Sequence, residues 1–199
     1  MELSEHERDV LAELASMGVN SSATALSELL GTSVSLVIPK IDVRRVEMAK
    51  DGIGDPEAVV AAIYSQVFGK NSSVLIMFPK KSALELVCAL QKKTGRPPAQ
   101  FSDMDKSAFD EMGNILVAAY LSAIANFLKT RIAQGIPNTV VDMAGSVVDA
   151  AIVQIATGTN EVIVTDAQFT IGKKMIGARI YFLFEPDVVD GLLRKAKKI

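Results

Sequence analysis

Apolar residues recur at three-to-four-residue steps through two long stretches of the chain and crowd into short β-branched runs elsewhere, so helices and strands share it. In the second long stretch Met112, Ile115, Ala119, Ser122 or Ala123, and Asn126 or Leu128 follow that period up to about Lys129. Its start is signalled by Ser102-Asp103-Met104-Asp105, where Ser102 can cap and Asp105, three residues on, completes a capping box and suits the positive helix end. The first stretch begins at Ser4 or Glu5, but Gly18 and Asn20-Ser21-Ser22 interrupt it. The expectation is a helix that ends or kinks there, then a second from about Ser22 to Leu30, closed by Gly31.

Thr32 to Ile38 predicts a strand, and Ala58 to Phe68 with Ser72 to Phe78 predict a hairpin turning at Gly69-Lys70-Asn71. After Pro79 the run Ser82 to Gln91 is helical by period, ended by Gly95 and Pro97-Pro98. Downstream, Ala151 to Ala156, Glu161 to Ile171 and Ala178 to Phe184 read as strands, before Pro186 and a terminal helix from Asp187 to Lys197. Short hairpin connections imply mostly antiparallel pairing, since parallel strands need long crossovers.

A repeat underlies this order. Sliding the sequence by 98 residues places Glu13 on Glu111, Val19 on Val117, Ala25 on Ala123, Leu30 on Leu128, Thr32 on Thr130, Ile38 on Ile136, Pro39 on Pro137 and Val43 on Val141. The reading is an α+β fold, internally duplicated, with pseudo-two-fold symmetry: a single domain of two repeats, about 1–98 and 99–199.

Composition narrows the chemistry. With 21 Lys+Arg against 23 Asp+Glu, the net charge of −2 leaves no basic footprint for nucleic acid or anionic lipid. The 199 residues, 49% apolar, suffice for a buried core and argue against disorder. Met1 to Arg8 is charged rather than signal-like, and the longest nearly apolar stretch, Ile115 to Leu128, falls short of the roughly 20 residues of a membrane span. The expected location is therefore cytoplasmic. A lone Cys88 and a lone His6 rule out an internal disulfide, a Cys- or His-cluster metal site and, unless His6 serves, a conventional Ser/His or Cys/His pair. Cys88 reads as a small core residue, His6 as a solvated residue of the first turn, and the glycines of Asp51 to Pro56 as a turn, not a phosphate loop.

Ser107, Glu111 and Asn114 lie at i, i+4 and i+7, a polar stripe on one helix face, with Phe109, Met112, Leu116 and Ala123 on the side that can bury. By itself such a stripe is an ordinary solvated surface. Gly113, mid-helix at a cost of roughly 1 kcal/mol relative to Ala, implies that something approaches the backbone closely there.

Ser107-x3-Glu111-x2-Asn114-x22-Pro137 resembles the Asp/Ser-x3-Glu-x2-Asn-x22-Pro signature of the CheC family of chemotaxis phosphatases, itself a duplicated family; Glu111-Met112-Gly113-Asn114-Ile115, Val141-Asp142-Met143 and Ala23-Thr24-Ala25-Leu26-Ser27 extend the likeness. Two full halves favour the CheC type over the shorter CheX type. The resemblance implies hydrolysis of the aspartyl phosphate of a CheY-type response regulator in chemotaxis signalling. Glu111 would pair with the regulator's active-site lysine and Asn114 would orient the attacking water, with Ser107 and Pro137 as supporting positions. Mg²⁺ would come on the regulator, with no cofactor held by this chain. In the first half Asp9-x3-Glu13-x2-Ser16-x22-Pro39 keeps the spacing, but a serine stands in place of the amide, which implies a weak or vestigial second site. The family also binds the receptor deamidase CheD through a short helix in the second half; Asp142 and Met143 fall in that region, with a plain surface helix capped by Asp142 as the other reading. The alternative function is a non-catalytic adaptor that binds the regulator or CheD, similar in fold to flagellar switch components.

Overall fold

The computed structural model describes residues 4–67, 72–127, 129, 131–155, 161–171, 174–184, 189–191 and 193–194. Helix α1 (Glu5–Leu30) leads into strand β1 (Val34–Arg45), the hairpin β2 (Val59–Gln66) and β3 (Ser73–Pro79), and helix α2 (Lys80–Leu90). A second long helix, α3 (Asp103–Phe127), is followed by β4 (Asn138–Met143), α4 (Ala144–Ile155), and the hairpin β5 (Glu161–Ile171) and β6 (Lys174–Leu183). All six strands join one sheet in the order β1-β5-β6-β3-β2-β4, and every pairing is antiparallel.

That order is symmetric. Exchanging β1 with β4, β2 with β5 and β3 with β6 returns the same sheet read backwards, with the β3–β6 pair at its centre. The long helices also start alike. Ser4 takes the backbone N–H of Glu7 while the Glu7 carboxylate takes that of Ser4. Ser102 and Asp105, 98 residues on, repeat the exchange at 3.2 and 3.0 Å.

Helix α1 runs unbroken through Gly18 and Asn20-Ser21-Ser22, where a break was expected. The reason is tertiary. Gly18 is buried against the ring of Tyr120 on α3, with no room for a side chain, and the Ser22 hydroxyl donates to the carbonyls of Gly18 (3.1 Å) and Leu116 (2.8 Å). Small residues let two helices approach closely instead of stopping one. Gly31, at φ +62°, closes α1 as expected.

The two helices pack through Leu11, Leu14, Val19, Leu26, Met112 and Leu116 onto one sheet face, represented by Ile63, Ile76, Phe78, Ile180 and Phe182. Helix α4 covers the other face with Val147, Val148 and Ala151 on Ala62, Leu75, Met77, Tyr181 and Leu183. Of Ala151 to Ala156, expected as a strand, residues 151–155 are instead the end of this helix, which is held on the sheet by Ala144, Val147, Val148 and Ala151. Val74 to Phe78 of β3 are buried on both faces, which explains their continuous apolar run. The Gly69-Lys70-Asn71 turn and most of the expected terminal helix lie outside the described residues; 189–191 and 193–194 are helical. Cys88 is half-buried and His6 is exposed.

Candidate functional site

Helix α3 turns one face into the core and leaves the other open. Phe109, Met112, Leu116 and Val117 are buried, while Ser107, Glu111 and Asn114 are exposed along a single stripe. What approaches Gly113 is β2: a Cβ there would stand 2.6 Å from Cγ2 of Ile63. The helix therefore lies close on the sheet directly behind Glu111 and Asn114, which fixes their backbone.

Ser107, Glu111, Asn114 and Pro137 all line one cavity of about 580 Å³, so the four spaced positions converge in space. Asp110, Gln134, Gly135 and Ile136 complete it. Its far wall is the segment 134–137 that enters β4. Pro137 stands immediately before the first residue of that strand and so shapes its start. Gln134 bridges Val67, and the Gly135 N–H donates to Gln66 O at 2.7 Å, tying the wall to the end of β2. Gln134 Nε2 in turn donates to Asn114 Oδ1 at 3.2 Å. The Ser107 hydroxyl is turned back onto its own helix, donating to the Asp103 carbonyl at 3.0 Å.

Two carboxylates, Asp110 and Glu111, face this space, and among the described residues no Lys, Arg or His lines it. Asp110 Oδ1 is buried without a hydrogen-bond partner. The arrangement suits an incoming cation at the carboxylates and a water molecule at the amide. Ile136, 94% exposed on the rim, adds an apolar contact for whatever covers the cavity. Gln134 and Ile136 escaped the sequence reading because only the fold brings 134–136 against α3, and Asp110 because it lies off the i, i+4, i+7 stripe of its helix. Among the described residues, no group of three or more His, Cys, Asp or Glu side chains is placed to hold a metal ion.

In the first half, Asp9 and Glu13 are exposed on α1 and Ser16 is half-buried. Pro39 lies in β1 where the register with β5 shifts between Val37 and Lys40, an irregularity that tolerates its missing N–H; its side chain lies outside the described residues. Asp142 and Met143 belong to β4 and not to a helix; the Asp142 carboxylate accepts the Met143 N–H at 2.7 Å, and α4 begins one residue later. A second cavity of about 490 Å³ is mostly apolar; of its charged lining, Asp55, Asp166 and Arg179, the last two pair through Arg179 Nε and Nη2 at 2.6 and 3.0 Å.

An antiparallel sheet with long helices and this motif cavity define an α+β protein of the CheC-like fold. Its backbone matches the X-ray crystal structure of Thermotoga maritima FliY with a TM-score of 0.80, covering 100% of this chain and 99% of that one at 16% identity. In sequence it is 26% identical over 170 residues to the CheY-P phosphatase CheC of Bacillus subtilis, covering 82% of this chain and 80% of the relative. It is 29% identical over 182 residues to CheC1 of Halobacterium salinarum, covering 88% of each. No protein-family model matches. The chain is thus similar to the CheC proteins, the family that its motif resembles. Among the described residues no helix is long and apolar enough to cross a membrane.

Proposed function

We propose that this chain is a cytoplasmic phosphatase that hydrolyses the aspartyl phosphate of a CheY-type response regulator. One observation carries the reading: Glu111 and Asn114, three residues apart on α3, open into a single cavity whose other polar side chains are Ser107, Asp110 and Gln134. The relatives named CheY-P phosphatases support it.

An acyl phosphate on a regulator already has Mg²⁺ and a lysine to balance its charge, so the phosphatase has only to dock and to place water. Glu111, with Asp110 beside it, receives that lysine. The Asn114 carboxamide accepts a hydrogen bond from a water aligned with the phosphorus–oxygen bond. The water oxygen forms the new bond to phosphorus, the aspartate carboxylate leaves with the bonding pair, and the water's proton passes to the phosphate. A neutral amide serves because its task is orientation and not proton abstraction. The Mg²⁺ belongs to the substrate, and this chain supplies no cofactor.

The chain is one domain of two repeats, about 1–98 and 99–199; the paired capping boxes and the symmetric strand order support this. Glu13 and Ser16 form a degenerate second site, since a half-buried serine hydroxyl has neither the reach nor the bidentate character of a carboxamide. A CheD-type deamidase is a further partner, docking on edge strand β4 and the start of α4, where Asp142 and the 43%-exposed Met143 lie. The test of the main reading is phosphate release from a phosphorylated regulator, with Asn114→Ala as the control.

A further inference from the structure

Asn114 is held from across its cavity. Gln134 Nε2 donates to its Oδ1 at 3.2 Å, and Gln134 itself is fixed by backbone. It bridges Val67 at the end of β2, the neighbouring Gly135 N–H donates to Gln66 O at 2.7 Å, and the Gly135 carbonyl accepts from Ser65 Oγ at 3.2 Å. The fit is close enough that a Cβ on Gly135 would stand 3.3 Å from that of Gln66. The donor thus comes from a segment tied to the sheet.

A carboxamide on an exposed helix face samples several rotamers, and its two ends exchange by a flip of the terminal torsion. A fixed donor removes that freedom. It selects the rotamer that turns the carbonyl oxygen to Gln134, leaving the second lone pair of Oδ1 and both N–H donors for a water in the cavity. The sequence supplies a separate observation. At the 98-residue offset, Ser16 stands for Asn114 and Leu36 stands for Gln134, so the two amides occur together in one half and are missing together from the other.

We propose that Gln134 is a positioning residue for the Asn114 carboxamide, which it presents in the orientation that holds the attacking water. This inference rests on the phosphatase reading above. Gln134 gives no proton and touches no reacting atom; it lowers the ordering cost that Asn114 meets each time a water is aligned.

The test is steady-state phosphate release from a Mg²⁺-loaded, phosphorylated CheY-type regulator with wild type, Gln134→Ala, Gln134→Met, Asn114→Ala and the double variant Gln134→Ala/Asn114→Ala. Melting temperatures are recorded alongside. Methionine keeps the length of glutamine and removes the donor. Both Gln134 variants are expected to lose about tenfold in kcat, with KM and melting temperature within error of wild type, and the double variant to be no slower than Asn114→Ala alone. Wild-type kcat in Gln134→Met, a rise in KM at unchanged kcat, or a further tenfold loss in the double variant would each overturn the inference. Those outcomes leave the phosphatase reading standing if Asn114→Ala has lost roughly 10²-fold; a wild type that releases no phosphate beyond the regulator's own rate overturns both.

Discussion

Gly18 on α1 sits directly beneath the ring of Tyr120 on α3, and that ring is stacked on Phe182 of β6, with centroids 4.6 Å apart. Helix, helix and sheet meet at this point, and a methyl group at position 18 has nowhere to go. Gly18→Ala should therefore destabilise the fold by about 1–3 kcal/mol despite alanine's better helix propensity. Denaturant unfolding measures it; a stabilised variant would mean that the two helices do not approach so closely.

The same contact shows where sequence reading works and where it fails. Local signals were legible. The Ser102–Asp105 capping box, the Gly31 C-cap and the alternation that put Phe109, Met112 and Leu116 inward are set within a few residues of themselves. Gly18 and Ser22 were misread because a glycine that ends a helix and one that admits a neighbouring helix are the same letter, and only α3 decides between them. Residues 151–155 include strand-forming types but continue a helix that Val147, Val148 and Ala151 hold on the sheet, and that packing outweighs propensity. Ser107, Glu111 and Asn114 were legible as a polar stripe on one helix face, and became a candidate site, with Pro137, only through the resemblance to the CheC signature. Gln134 was not, because its meaning depends on a bridge to Val67, 67 residues earlier.

The start of α3 carries a pH dependence. The buried Asp105 carboxylate accepts from Lys93 at 2.9 Å and from the Ser102 hydroxyl and N–H at 2.7 and 3.0 Å. The Lys93 and Ser102 donors lower its pKa from 3.8 to about 2. The folded value lies below the unfolded one, so this group's stabilisation is complete above about pH 4 and is lost as pH falls toward 2. Ser102→Ala should cost about 1 kcal/mol at neutral pH. Asp105→Asn should be less stable than wild type at pH 7, by a margin that shrinks between pH 4 and pH 2. Urea unfolding at several pH values checks this, and a margin that stays constant would contradict it.

The two halves should differ in activity. On the proposed mechanism Glu111→Ala removes the carboxylate assigned to the regulator's lysine and should abolish most phosphate release, whereas Glu13→Ala should leave most of it. Ser16→Asn should raise activity only modestly, because position 36 offers leucine where the second half offers Gln134. Equal losses from Glu13→Ala and Glu111→Ala would show two working sites.

If the proposed CheD-type partner docks on β4, Met143→Asp places a charge on an exposed apolar position of that edge strand. It should weaken binding of a CheD-type protein from the same organism by tenfold or more, roughly the loss expected of one buried apolar contact. Phosphate release from the regulator should be unchanged. Titration of the two purified proteins decides it, and wild-type affinity in the variant would remove β4 from the interface.

The central claim, that Asn114 places water for hydrolysis while Glu111 docks the regulator, is tested most directly by measuring turnover and binding on the same variant. Phosphate release from a Mg²⁺-loaded, phosphorylated CheY-type regulator and its affinity for this protein are determined with wild type and Asn114→Ala. Loss of roughly 10²-fold in turnover at unchanged affinity is the predicted result. Turnover retained in Asn114→Ala, or no acceleration by wild type over the regulator alone, would contradict the account, and in the second case the chain would act as a binding module only.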